Sequence, residues 1–244
     1  MEDTKEAESA YNKIAKIYHD KRITGKDLNE LSEQPATFSL LGNIKGKKVL
    51  DAGCGSGVYS RLLAEKGAQV YGIELSSEMV DLAKKHCAGM DIDFKQGSIN
   101  KLPYANNTFD TIIASLVIHY LKNPETALKE FHRVLKKGGI LIFSTTHPVL
   151  ESFTKIRNNK GKNEIILSNY FSKGKYYWTL HNSKVKIPSY RTGFGLLSRL
   201  VYNSGFIVEE IKETSLSNKL KDIPSHLKKF IDTPIFIIFK CKKN

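Results

Sequence analysis

The sequence predicts a single α/β domain over residues 1–244, built on a doubly wound, mostly parallel sheet with helices on both faces. Between Lys48 and Ser144, short apolar runs alternate with amphipathic stretches of helical spacing. Strands that alternate with helices of this length form βαβ units, and such units give a parallel sheet that is covered on both faces. A length of 244 residues suits one core of this kind, whereas two full domains would be cramped.

Seven apolar runs have the length and composition of strands. In chain order they are 48–53, Gln69–Leu75, Ile92–Gly97, Phe109–Leu116, Ile140–Thr145, Phe206–Ile211 and Pro234–Lys242. Helices are predicted at Val58–Lys66, Ser77–Cys87, Pro124–Leu135 and Gly195–Asn203. The connection between the last two strands is too short and irregular for an ordinary crossover, which predicts an antiparallel last strand.

Two segments interrupt this alternation. Residues 1–40, with the amphipathic stretch Tyr11–Arg22, are predicted to form a helical segment ahead of a core at residues 41–149. In residues 150–192, Gly, Asn and Lys turns separate short aromatic runs, which predicts a small antiparallel insertion after the fifth strand. Residues 193–244 then supply a helix and the last two strands.

Composition narrows the function classes. The formal net charge of +13 comes from 32 lysines and only six arginines spread along the chain. Because Arg is the residue suited to bidentate phosphate and base contacts, we expect no specific nucleic-acid partner. Three scattered cysteines without CxxC spacing predict neither a disulfide framework nor a metal site. No apolar run has the roughly 20 residues of a membrane span, and no signal peptide is evident, so we expect a cytoplasmic chain without a membrane partner.

The stretch "VLDAGCGSG" (Val49–Gly57) places an acid and three glycines at the end of a predicted buried strand. Glycines there permit positive φ and close approach of a ligand to the backbone, and the following helix start presents free N–H groups. A dinucleotide fingerprint G-x-G-x-x-G that begins at Gly53 would require a glycine where Val58 stands, and Asp51 would repel a pyrophosphate. The pattern therefore favours a ligand without phosphates that carries a cationic part.

Glu74 ends the second predicted strand, 19 residues after Gly55. A carboxylate at this position of a doubly wound sheet can accept hydrogen bonds from both hydroxyls of a ribose. The two sites together predict an adenosine with a short amino-acid tail.

These stretches, with "GIELS", "QGSINKLPYANNTFD" and "FHRVLKKGGILIFS" following in order, resemble the class I S-adenosylmethionine-dependent methyltransferases of the type 11, small-molecule group. The resemblance covers about Tyr11 to Thr146 well and the last two strands more loosely. It implies S-adenosylmethionine as cofactor, with S-adenosylhomocysteine as product. It also implies that residues 1–40 close over a cofactor-binding core at residues 41–149.

The resemblance implies a set of cofactor-binding residues. They are Tyr18, Asp51, Gly53, Cys54, Gly55, Glu74, Leu75, Met79, Gly97, Ser98, Ile99, Ala114 and Ser115. Ser98 stands where many relatives have Asp, and a hydroxyl is a weaker acceptor for the adenine amino group. Tyr11 and Tyr18 lie in the segment that resembles the family's lid helix, where an aromatic face near a sulfonium is favourable by about 0.5–2 kcal/mol.

The acceptor side is predicted from position in the fold. His119 and His147 follow the fourth and fifth strands at the carboxyl edge of the sheet, where ligands bind, and are candidate bases; His147 could instead cap or pack ahead of Pro148. The insertion is expected to cover the acceptor pocket. The residues assigned to acceptor binding are Tyr11, Tyr176, Trp178, His181 and Arg191. The alternative is a small hairpin whose aromatic side chains only pack it onto the sheet.

The hypothesis of choice is methyl transfer to a small-molecule acceptor by in-line displacement in a water-excluded pocket. The alternatives are an RNA or protein methyltransferase, a non-catalytic cofactor-binding protein, and a dehydrogenase on a similar sheet. No "NPPY" sequence follows the fourth strand, where "ASLVIHY" stands instead. This argues against the subgroup that methylates amino groups of nucleobases or glutamine. We expect a monomer or a homodimer.

Overall fold

The computed structural model describes residues 2–150, 152–157, 163–167, 170–172, 174–180, 183–217, 220 and 222–244. The strands are β1 (Lys48–Ala52), β2 (Gln69–Glu74), β3 (Ile92–Gln96), β4 (Phe109–Ala114), β5 (Leu135–Thr146), β6 (Phe153–Arg157), β7 (Asn163–Leu167), β8 (Gly174–Thr179), β9 (Lys186–Arg191), β10 (Phe206–Thr214) and β11 (Phe236–Lys243). The α-helices are α1 (Glu2–Ile23), α2 (Gln34–Leu40), α3 (Val58–Glu65), α4 (Ser77–His86), α5 (Pro124–Val134) and α6 (Phe194–Asn203). A π-helix spans Asn29–Glu33, and 3-10 helices span Ile118–Tyr120 and Ser225–Phe230. None of the helices described here is long and apolar enough to cross a membrane.

The central sheet has seven strands in the order β10-β11-β5-β4-β1-β2-β3. Strands β1 to β5 pair in parallel, and β11 is antiparallel to both of its neighbours, β5 and β10. The predicted fold class is therefore confirmed, including the antiparallel last strand. The strand order reverses between β1 and β4, and in open α/β sheets ligands bind at the carboxyl ends of the strands at such a point.

The core lies on both faces of this sheet because side chains alternate along each strand. Leu50, Ile112 and Leu141 point to the face covered by α5 and α6. Their neighbours Val49 and Ile113 point to the face covered by α2 and α3. A strand buried on both faces reads as a continuous apolar run, which is why β1 and β4 could be identified from the sequence.

The insertion forms two antiparallel hairpins, β6–β7 and β8–β9, each a separate two-stranded sheet. Hairpin β8–β9 contacts α1 and the 3-10 helix Ile118–Tyr120. It packs on α1, through a cluster that includes Ala10, Ile14, Leu180 and Ile187. The prediction of a small antiparallel insertion is confirmed, and its position against the N-terminal helix is a feature that the sequence pattern did not indicate.

Two element boundaries differ from the prediction by more than the others. Helix α1 begins at Glu2, nine residues before the expected start at Tyr11. Strand β5 begins at Leu135, so the "KKGG" predicted to separate helix and strand belongs to the strand. Leu135 pairs with Phe109 across an irregularity in the β4–β5 register, and this pairing extends the strand backwards.

Candidate functional site

The turn after β1 is shaped by three glycines in the left-handed region. Gly53, Gly55 and Gly57 have φ values of 77°, 52° and 82°. A Cβ on Gly53 would lie 2.6 Å from Val117 Cγ2, and one on Gly57 would lie 3.1 Å from Cys87 Sγ. A Cβ on Gly55 would have no described heavy atom within 4 Å. Packing therefore explains the first and third glycines, whereas Gly55 faces open space.

That space is a cavity at the carboxyl edge of β1, β2 and β4, beneath α1. The described residues that line it are Thr4, Ala7, Glu8, Tyr11, Tyr18, Arg22, Asp51, Gly53, Cys54, Gly55, Ser56, Val58, Tyr59, Glu74, Leu75, Gly97, Ser98, Ile99, Ser115, Leu116, Val117, Tyr120 and Leu121. The structure thus brings together eleven of the thirteen residues that the resemblance assigned to cofactor binding. The other two, Met79 and Ala114, are fully buried and are absent from the wall, because they pack into the core beneath α4 and within β4.

Glu74 is held in place by backbone N–H groups. Its Oε2 accepts from Gly55 N at 3.0 Å, and its Oε1 accepts from Leu75 N at 2.8 Å and Ser76 N at 3.0 Å. Burial raises the pKa of Glu74, and the three N–H donors oppose that rise. Oε1 already accepts two hydrogen bonds, whereas Oε2 accepts one and retains a lone pair, so the side chain can still accept a hydroxyl donor at Oε2.

Asp51 is the second carboxylate on the wall. It is 1% exposed, and Ser60 Oγ donates to its Oδ2 at 2.6 Å. Burial raises the pKa of Asp51 to about 7, against the opposing effect of the Ser60 hydrogen bond. Asp51 therefore changes its charge near neutral pH, and a cationic ligand group beside it would favour the charged form.

Arg22 is a wall residue that sequence reasoning missed. It lies in the last turn of α1, is 8% exposed, and pairs with Glu30 at 2.5 Å. Its Nη1 donates to Tyr18 Oη at 3.1 Å. Its spacing in the sequence could have indicated this role. Tyr18 lies seven residues after Tyr11 and Arg22 lies four residues after Tyr18, so the three side chains share one face of the helix. This cation can bind a carboxylate inside the cavity.

Helix α1 forms the roof of the cavity and is attached along its length. Tyr11 Oη donates to Tyr120 Oη at 2.6 Å, and Ser76 Oγ donates to Asn12 Oδ1 at 2.6 Å. Near the helix start, Glu6 forms an ion pair with Lys175 of hairpin β8–β9. The roof is therefore tied both to the sheet edge and to the insertion.

The two described histidines proposed as bases are not part of the wall. His147 Nδ1 accepts from Val149 N at 3.2 Å and its Nε2 contacts Glu213 Oε1 at 2.7 Å, so both ring nitrogens are used in holding the chain after β5. His119 is buried with its Nδ1 3.3 Å from Thr145 Oγ1, and burial lowers its pKa to about 3. Both histidines follow the fourth and fifth strands of the chain as expected, but neither lines the cavity, and the contacts of His147 favour the capping alternative. His181 lies outside the described residues.

The insertion residues assigned to the acceptor also lie away from the cavity. Trp178 packs in the cluster between β8–β9 and α1. The Arg191 guanidinium lies 5.2 Å from the centre of the Tyr176 ring and faces a separate hollow that Lys122 and Lys175 share. Only Tyr11 of the described acceptor residues reaches the wall. The hairpin therefore supports the roof from behind, and α1 itself covers the cavity.

The residues present fit an adenosine with an amino-acid tail. The wall carries the acids Glu74 and Asp51, the cation of Arg22 and the backbone of Gly97. Ser56 Oγ is buried on the same wall and has no hydrogen-bond partner among the described residues. A buried hydroxyl without a partner is costly unless a ligand satisfies it.

Comparisons with known proteins agree with this geometry. A family model described as a methyltransferase domain matches residues 50–143. The chain is 30% identical to a demethylmenaquinone methyltransferase of Lactococcus lactis, over 72% of each chain. It is 35% identical to a ubiquinone biosynthesis O-methyltransferase of Actinobacillus pleuropneumoniae over 44% of its own length, and spans about half (49%) of that relative. The solved structure of an S-adenosylmethionine-dependent methyltransferase from Mesorhizobium loti is similar at a TM-score of 0.77 and 25% identity, covering 86% of this chain and 97% of that one.

Proposed function

The chain belongs to the class I S-adenosylmethionine-dependent methyltransferases, and we propose that it methylates a small-molecule acceptor enclosed beneath α1. S-adenosylmethionine is its cofactor, and supplies an activated methyl group on a sulfonium. The observation that carries the acceptor class is the attached roof. Tyr11, Asn12 and Glu6 tie α1 to three different parts of the fold, which holds the helix over the cavity.

The wall provides what an in-line displacement needs from a protein. Alignment of donor and acceptor is worth up to about 7–11 kcal/mol in well-oriented reactions, and it requires rigid walls and little water. The Glu74 carboxylate accepts from Gly55 N, and this hydrogen bond fixes the glycine turn at one end of the cavity. Tyr11, Tyr18 and Tyr120 form an aromatic cluster on the roof side, with ring centres 5.4 and 5.6 Å apart. Aromatic faces of this kind stabilise a nearby cation.

The same cluster favours a flat or apolar acceptor. Leu116, Val117 and Leu121 line the cavity together with the tyrosines, so the described wall on this side is largely apolar. Pockets lined this way suit small organic molecules with a few polar groups. Two relatives carry names from ubiquinone and menaquinone biosynthesis, which supports an aromatic ring as the first acceptor class to test.

The experiment is release of S-adenosylhomocysteine across a panel of acceptors. The panel contains quinols, phenols and catechols, aliphatic acids, and bulk tRNA and rRNA at matched concentration. We expect turnover with an aromatic or apolar small molecule and none above background with either RNA. Turnover with RNA alone, persisting at physiological salt, would contradict the proposal, since contacts from scattered lysines fade with salt. A variant in which Gly55 is replaced by Val serves as the control for cofactor-dependent signal.

A further inference from the structure

Glu33 is a fully buried carboxylate that the sequence analysis did not single out. It ends the π-helix Asn29–Glu33 and is 0% exposed. It lies behind the cavity and is not part of the wall. A π-helix is rare and is often found at functional sites. Burying a carboxylate is costly unless other groups compensate for its charge.

Four hydroxyl groups donate to this carboxylate. Tyr59 Oη donates to Oε2 at 2.5 Å. Ser144, Thr37 and Ser115 donate to Oε1 at 2.6, 2.8 and 3.0 Å. A carboxylate only accepts hydrogen bonds, so each of the four hydroxyls must direct its single proton toward Glu33.

Two of these hydroxyls belong to residues of the cavity wall. Tyr59 and Ser115 both line the cavity, from α3 and from the end of β4. Because their protons are used on Glu33, they can offer a ligand only oxygen lone pairs. Burial, and after it the charge of Glu33, raises the pKa of the Tyr59 phenol well above its usual value. This phenol therefore keeps its proton. Glu33 thereby turns two groups that could donate or accept into acceptors.

A third hydroxyl fixes the backbone of the wall. Ser144 Oγ donates to Glu33 and accepts from Leu116 N at 2.9 Å. Leu116 has a φ of 51°, in the left-handed region that a Leu rarely adopts. The Glu33–Ser144 pair therefore holds the turn that carries Ser115 in a conformation the local sequence would not favour.

We propose that Glu33 is a positioning residue that fixes Tyr59 and Ser115 as hydrogen-bond acceptors, so that this part of the wall selects the α-ammonium group of the cofactor. The charges around it support this assignment. Asp51 lies on the same wall and adds a further acceptor, while the Arg22 cation on the roof suits the neighbouring carboxylate of the amino-acid tail. The inference rests on the cofactor of the family and not on the acceptor class.

The test compares two ligands in calorimetry: S-adenosylhomocysteine and its deaminated analogue, which carries hydrogen in place of the ammonium group. Wild-type protein is expected to prefer S-adenosylhomocysteine by about tenfold to a hundredfold, the range for hydrogen bonds to a charged group. In Glu33→Gln, the amide donates two hydrogens into the network, so at least one hydroxyl must turn its proton elsewhere. The preference is then expected to fall at least fivefold, mainly through weaker binding of S-adenosylhomocysteine.

Thr37→Val is the matched control. It removes a hydroxyl that donates to the same Glu33 oxygen but belongs to α2 and does not line the cavity. A purely structural role predicts that both variants lose thermal stability and keep the preference. Our proposal predicts that both lose stability and only Glu33→Gln loses the preference. Unchanged preference in Glu33→Gln, or no preference in wild type, overturns it.

Tyr59→Phe keeps the test decisive if Glu33→Gln does not fold. It removes one acceptor oxygen from the wall and keeps the ring that packs against Phe38. The preference for the ammonium-bearing ligand is expected to fall at least threefold. A Tyr59→Phe protein with the wild-type preference would contradict the role assigned to this hydroxyl and with it the proposal.

Discussion

The floor of the cavity comes from neighbouring strands and their turns, whereas its roof joins segments as far apart as Glu6 and Lys175. Backbone–backbone hydrogen bonds hold the floor, as from Gly53 N to Ile73 O at 2.8 Å. Side-chain hydrogen bonds, ion pairs and apolar packing hold the roof. The difference shows that the floor is determined by local chain geometry and the roof by tertiary packing.

The largest expected effect is on the floor. Gly55→Val places a branched side chain in open space that the cofactor needs, at a positive φ that Val resists. Affinity for S-adenosylhomocysteine in calorimetry is expected to fall by roughly a hundredfold or more. Gly46→Val is the control, since Gly46 has a φ of 72° with no described atom near its Cβ position and lies on an exposed turn. If both variants lose stability but bind S-adenosylhomocysteine equally well, the cofactor does not lie against Gly55 and the assignment of the floor is wrong.

The next effect concerns charge on the floor and depends on pH. The Asp51 carboxyl loses its proton as the pH rises through about 7, so affinity for S-adenosylhomocysteine is expected to rise between pH 6 and pH 8 and to stay flat in Asp51→Asn.

The same carboxyl makes the stability of the protein depend on pH. The pKa of Asp51 in the folded state lies above the usual value of 3.8, so Asp51 contributes stability that is present at low pH and is lost as the pH rises through about 7. Asp51→Asn is therefore expected to unfold at a higher temperature than wild type at pH 8, with a gain of about 1–4 kcal/mol. Lower stability of the variant at pH 8 would refute the assigned burial of this charge.

A moderate effect is expected behind the roof. Trp178→Ala removes apolar contact with α1 and is expected to cost about 1–3 kcal/mol of stability and to weaken binding of S-adenosylhomocysteine several-fold. Tyr177→Ala, on the opposite face of the same strand and 48% exposed, is the control and should leave affinity unchanged. If Trp178→Ala loses methyl transfer while its cofactor affinity and stability stay unchanged, the result would contradict this account and support direct contact between Trp178 and the acceptor.

The smallest effect is expected at His147. His147→Gln should leave the turnover rate within about twofold, since a general base contributes 10²–10⁴-fold and this ring is engaged with Val149 and Glu213. A modest loss of thermal stability is expected, because one buried hydrogen bond is at stake. A hundredfold fall in turnover with unchanged stability would contradict this prediction and indicate that His147 acts as a general base.

The sequence predicts the floor well because its determinants are local. The pattern that predicts the floor consists of Gly53 and Gly55 after one strand and Glu74 at the end of the next strand. These two strands are adjacent in the sheet, so no distant part of the chain has to be known. The roof depends on Asn12 meeting Ser76 and on Tyr11 meeting Tyr120, pairs separated by 64 and 109 residues. No periodicity in one segment contains that information.

The same limit explains the misplaced acceptor residues. The short aromatic runs of the insertion suggested an apolar surface, and Trp178 is partly buried in an apolar cluster. What the pattern could not indicate was the partner of that surface, which is α1 and not the cavity. Glu33 was missed for a related reason, because its four partners come from α2, α3, the turn after β4, and β5.

Hydrogen exchange of the backbone amides, with and without S-adenosylhomocysteine, tests most directly whether α1 is the roof. We expect added protection in the turn at residues 53–57, along residues 7–22 of α1, and to a smaller degree in β8–β9, which supports it. Strand β10, at the far edge of the sheet, should be unchanged and serves as the internal reference. Protection confined to the turn after β1, with α1 exchanging as fast as in the free protein, would contradict the account.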